Sequence, residues 1–106
     1  MNQAPVNDET AATGFIGVKP STRKAHLLRA AIESLAFRVY QMCQLMYQET
    51  GVVVTKMRVD GGVCRNDFLM QLISDLTMVT IDRPAFTETA SLGAAMMAGL
   101  QAGRIL

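Results

Sequence analysis

The residues best placed to do chemistry are Gly61, Gly62 and Asn66, in the run Val59-Asp60-Gly61-Gly62-Val63-Cys64-Arg65-Asn66-Asp67. The run follows a β-branched segment and precedes apolar residues at helical spacing, so the paired glycines fall where a strand ends and a helix begins. Glycine at such a point lets the backbone turn sharply and approach a ligand with no Cβ in between. The helix start beyond it offers unpaired N–H groups and a partial positive charge. In open α/β sheets, ligands gather at the carboxyl ends of strands, where this loop lies. Each point favours a nucleotide phosphate. The competing reading is structural: the glycines only build a turn and Asn66 only caps a helix.

Other chemistries lack their residues. Neither the GxxxxGKS/T phosphate loop nor the GxGxxG dinucleotide fingerprint occurs, so neither a P-loop NTPase nor a nucleotide-dependent oxidoreductase of the Rossmann type is supported. One histidine, His26, allows no Ser-His-Asp arrangement and adds no metal set. Asp60, Asp67, Asp75 and Asp82 are candidate carboxylates, read as turn, cap or surface residues. Cys43 and Cys64 form no CxxC pair and read as free thiols of a reducing compartment.

The elements that must position this loop can be read from periodicity. Leu28, Ile32, Leu35, Val39, Met42 and Met46 repeat at helical spacing and predict a helix over 24–50, stopped by Gly51. A strand is expected over 52–59, a second helix over 65–76 through Phe68, Leu69, Leu72, Ile73 and Leu76, and a short strand over 78–83 ending at Pro84. A last helix is expected over 89–103. Its Ala90, Gly93, Ala94, Ala98 and Gly99 suggest close approach to another backbone. Gly14-Phe15-Ile16-Gly17-Val18 reads as one further strand, followed by a turn at Lys19-Pro20-Ser21-Thr22. Alternating strands and helices define an α/β fold with partly parallel strands. Residues 1–12 are polar and small, a loop or disordered terminus, and 13–106 form the folded part.

The 106 residues make one small domain or a piece of a larger one, and half of them are apolar, enough for a core. Ten basic and nine acidic side chains give a net charge of +1, with no electrostatic case for nucleic acid or a membrane surface. The first ten residues, MNQAPVNDET, lack the basic and apolar regions of a signal peptide, and no apolar run spans a bilayer. A cytoplasmic protein is expected.

The stretch RVDGGVCRNDFLMQLISDLTMVTIDRPAFTETASLGAAMMAGLQAG resembles the end of glycerol kinases, which belong to the FGGY carbohydrate kinases. Upstream, GFIGVKPSTRKAHLLRAAIESLAFR resembles that family's second signature, with Phe15, Gly17, Val18, His26, Leu27, Ala30, Ala31, Ile32 and Glu33 fitting and Thr13 departing. The PVND, GVCRN and RPA wording is most similar to the branch called glycerol kinase 5. The resemblance covers about residues 5–104. It implies the C-terminal portion of an actin-like ATPase (ribonuclease H-like) domain, with ATP and Mg²⁺ as cofactors and glycerol or a similar polyol as acceptor. Homo-oligomeric assembly is left open. It also implies that Gly62 contacts the nucleotide phosphates, that Asn66 packs at the adenosine end and that Gly61 shapes the turn. Asp60 matches the pattern and is read as loop-shaping, and a Cβ at Gly62 is expected to intrude on the phosphate and strain the turn. Cys64 and Arg65 stand where the family has small residues, and Asp67 where it has a second asparagine. The family's phosphate-binding loop, polyol-binding residues and general-base aspartate belong to an N-terminal domain with no counterpart here. The chain alone is therefore expected to be inactive. The alternative is a non-catalytic interaction or truncated splice fragment.

Overall fold

The computed structural model describes residues 6–104. The elements are α1 (Lys24–Thr50), β1 (Lys56–Arg58), a 3-10 turn (Gly62–Arg65), α2 (Asp67–Thr77), β2 (Thr80–Asp82) and α3 (Thr89–Gln101). All three expected helices are present. β1 and β2 pair in parallel, with Lys56 opposite Thr80, Met57 opposite Ile81 and Arg58 opposite Asp82. Helix α2 is thus the crossover of a β–α–β unit.

Local chemistry explains the ends. The Arg23 N–H donates to Nδ1 of His26 (2.9 Å), so the lone histidine serves as a helix cap. Gly51 closes α1 at φ 69°, the left-handed stop that its residue type favours. Asn66 caps α2, its side chain accepting from the Leu69 N–H.

Packing centres on α2. Ala36 of α1 has no accessible surface and meets Leu69 and Ile73, with Ile32, Val39, Met70, Leu72, Leu76 and Ile81 around them. The Arg29 guanidinium stands 4.6 Å from the centre of the Phe68 ring, a second tie between the two helices. Ser74 donates to the Val79 carbonyl (2.8 Å), fixing the return into β2.

Several expectations need correction. Residues 14–18 form no strand: no described strand lies beside them to complete a ladder, Gly17 is left-handed at φ 79°, and Ile16 is fully exposed. The two strands are shorter than expected, because only three residues on each side pair and 52–55 has no neighbour of equal length. Met78 does not open β2. It ends α2 at φ 57°, its N–H donating to the Ser74 carbonyl. No described helix or strand packs on α3, and none of its residues is buried, so its small-residue face meets no backbone here.

The surface is correspondingly large. The accessible area is 8547 Å², whereas a compact chain of 11.5 kDa would expose about 5,800 Å². The radius of gyration is 17.9 Å, against about 13 Å for a compact domain of this length. Phe37, Tyr47, Met96, Met97 and Leu100 are among the large apolar side chains left open. Among the described residues, no helix is long and apolar enough to cross a membrane.

Met78 gives a direct test. It is 87% exposed, so little packing is lost on replacement. Relief of the left-handed backbone favours glycine, partly offset by chain entropy. Met78→Gly is expected to stabilise the protein by about 0.5–1 kcal/mol, read as a higher midpoint in thermal unfolding.

Candidate functional site

The glycine loop leaves β1 along the line of the sheet. The Val59 N–H donates to the Asp82 carbonyl (3.1 Å), and the Gly61 N–H to the Thr87 carbonyl (3.0 Å). Asp60 accepts from the Thr89 hydroxyl (2.7 Å), joining the strand end to the start of α3 and giving Asp60 the loop-shaping role expected of it.

Gly61 and Gly62 are doing different things. Gly61 has φ 87° and ψ 169°, a region essentially closed to residues with a side chain. Gly62 is not among the positive-φ glycines, and a Cβ built on it meets nothing within 4 Å. Strain was expected at Gly62; the backbone places it at Gly61 instead. Nothing within the described chain therefore requires glycine at 62.

Beyond the pair, the chain makes one 3-10 turn. Cys64 lies inside it, 2% exposed, its thiol donating to the Gly61 carbonyl (2.9 Å). Both cysteines are free. Asn66 then caps α2: its Oδ1 accepts the Leu69 N–H at 3.0 Å. The capping role weighed against ligand binding is thus filled by the side-chain oxygen. No described residue accepts from the amide nitrogen, which remains able to serve a ligand. Gly61, Gly62 and Asn66 lie together within one loop, as their spacing predicted, with Gly62 exposed and the other two half-buried.

Sequence reasoning missed the second loop, residues 83–88. Arg65 donates to the Thr87 hydroxyl (3.0 Å) and to Glu88 (2.8 Å). Arg83 donates to Asp67 (2.6 Å) and to the Cys64 carbonyl (3.0 Å). Thr87 is buried. A hollow of about 660 Å³ opens here, lined by Arg65, Arg83 and residues 84–88; Gly61, Gly62 and Asn66 do not line it. The signal available in the sequence was the run Thr87-Glu88-Thr89 at the start of α3, which reads as a helix start and not as the partner of a loop more than twenty residues earlier.

Among the described residues no three His, Cys, Asp or Glu side chains gather as a metal site.

A β–α–β unit with a glycine turn at the carboxyl end of its first strand defines an α/β chain. The sequence matches the FGGY family of carbohydrate kinases, C-terminal domain, over residues 1–102, and the chain belongs to that family. It is 52% identical over 101 residues to glycerol kinase 5 of Danio rerio and, at the same identity and length, to that of Homo sapiens. Each alignment covers 95% of this chain and 19% of the relative. It is 41% identical over 100 residues to a glycerol kinase of Clostridium botulinum strain Hall, covering 94% of this chain and 20% of that protein. The chain thus spans about a fifth of the length of these curated relatives. It is similar to a C-terminal portion of these glycerol kinases.

The two glycines can be separated by stability alone. Gly61→Ala is expected to destabilise the protein by about 1–3 kcal/mol, because its backbone angles are nearly closed to alanine. Gly62→Ala is expected to be neutral or to stabilise by up to about 1 kcal/mol. Thermal unfolding of both variants decides it: equal losses would show that position 62 is not open.

Proposed function

We propose that this chain supplies part of the ATP-binding domain of a kinase that transfers the γ-phosphate of ATP to a hydroxyl of glycerol or a similar small polyol. The observation that carries the reading is Gly62: a glycine that the chain's own geometry does not need, exposed at the carboxyl end of a parallel strand. A bound phosphate group is a reason for glycine there, since a Cβ would occupy the space that phosphate needs. Family membership and the glycerol kinase relatives support the same activity.

The roles follow from the atoms present. Gly61 sets the turn, and Gly62 lets the backbone come close to the phosphates. Asn66 uses Oδ1 to hold α2 and its amide N–H groups toward the adenosine end. The α/β arrangement would be the C-terminal part of an actin-like, ribonuclease H-like domain acting in the cytoplasm. Phosphoryl transfer needs γ-phosphate, Mg²⁺ and acceptor held together. This chain offers one wall of that site. The ion, the acceptor and the general base would be held by residues outside it, and the isolated chain would be inactive.

One observation favours a second reading, a non-catalytic interaction fragment. The accessible area of 8547 Å² leaves apolar faces of α1 and α3 open to a partner.

A coupled assay with glycerol and MgATP separates the two. Turnover is expected from the full-length protein carrying this chain and none from the 106 residues alone. Turnover by the short chain would overturn the claim of incompleteness. Absence of turnover in the full-length protein would favour the interaction reading.

Asn66 tests the site itself. Asn66→Ala removes the cap and is expected to destabilise by about 0.5–2 kcal/mol. Asn66→Ser keeps a capping oxygen and removes the amide donors. It is expected to hold its melting temperature while ATP affinity falls roughly two- to tenfold. ATP titration and melting on the same samples check this, and unchanged affinity in Asn66→Ser would remove the residue from the site.

A further inference from the structure

The glycine loop is poorly anchored by its own sequence. Between the end of β1 and the start of α2 only Cys64 is buried, Val63 is exposed, and regular structure is limited to one 3-10 turn. What holds it is the loop before α3 together with the first residue of that helix. The Gly61 N–H reaches the Thr87 carbonyl, and Asp60 takes the Thr89 hydroxyl. Arg65 spans the gap with its guanidinium, using Nε on Thr87 and Nη2 on Glu88. Arg83 reaches back from the other side to Asp67 and the Cys64 carbonyl.

We propose that Arg65 is a positioning residue for the nucleotide loop: through Thr87 and Glu88 it straps the 61–66 segment to the 83–88 loop and fixes where Gly62 and the Asn66 amide stand. This rests on the nucleotide reading above for its functional meaning, although the strap itself is a matter of loop geometry. Two features favour a local role over a general one. The Arg65 and Glu88 side chains are 63% and 53% exposed, and ion pairs this open add little to global stability. The guanidinium is also a planar fork that engages two acceptors in one orientation, which a flexible ammonium does not reproduce. Arg65 and Asp67 are each matched by a partner on the second loop, Glu88 and Arg83. The second loop is thus bridged to Arg65 in the glycine loop and to Asp67 at the first turn of α2.

The experiment uses the full-length protein carrying this chain, with two readouts on the same samples. The first is hydrogen exchange at the Gly61, Cys64 and Asn66 amides. The second is ATP affinity by titration. Arg65→Met is expected to speed exchange at these amides and to weaken ATP binding, each by roughly three- to tenfold, with the melting temperature held. Arg65→Glu places two carboxylates together and is expected to do at least as much. The double variant Arg65→Glu with Glu88→Arg is expected to recover both readouts. Unchanged exchange in Arg65→Met overturns the strap. So does a double variant that regains slow exchange without ATP affinity, because Arg65 would then be touching phosphate itself. A large fall in melting temperature for Arg65→Met also overturns it, by making the residue a general structural one. If the wild-type protein binds no ATP while Arg65→Met still speeds exchange, the nucleotide reading falls and the strap stands.

Discussion

Ala36, with no surface left to solvent, fixes how near α1 can lie to α2. A methyl group at the crossing lets Leu69 and Ile73 fill the space between two backbones, and a larger side chain would force the helices apart. The 3-10 turn and β2 also lean on α2, whereas α3 packs on no described element. The first turn of α2 carries the Asn66 cap and hence the exit of the glycine loop, and its last turn passes through Met78 and the Ser74–Val79 bond into β2. Among the described residues, β2 in turn is the only strand that β1 has to pair with. Displacing α2 would thus move both ends of the loop on which the proposed nucleotide site depends.

The helices were legible because their signals are local. Apolar spacing through Leu28, Ile32 and Val39, and through Phe68, Leu69, Leu72 and Ile73, survives whatever the surroundings are. The strands were less so, because a strand is defined by its neighbour. Phe15-Ile16-Gly17-Val18 has strand composition and no partner in the described residues, so composition did not suffice. Met78 fails for a different reason: a bulky residue in the left-handed region is uncommon, and sequence pattern favours an extended backbone there.

That the glycine pair and Asn66 share one loop was readable from the strand–turn–helix order. Which glycine carries the unusual backbone was not, since both stand in the same motif and only the angles distinguish them. The bridging loop was also out of reach. Arg65 and Glu88 lie 23 residues apart, and nothing in their spacing ties one to the other until β2 and the following turn bring them together.

The two-stranded sheet leaves an outer edge on each strand, and the approach to β1 is Val52-Val53-Val54-Thr55, β-branched throughout and with Val52 and Val53 exposed. Such a segment is a template for pairing with its like in another molecule. Lys56 and Arg58 follow at once, and both share the single carboxylate of Asp82 across the strand pair. Two cations on one short edge strand repel a second copy arriving in register. The same two side chains that pair with Asp82 thus also set positive charge along the edge at which a like strand would add.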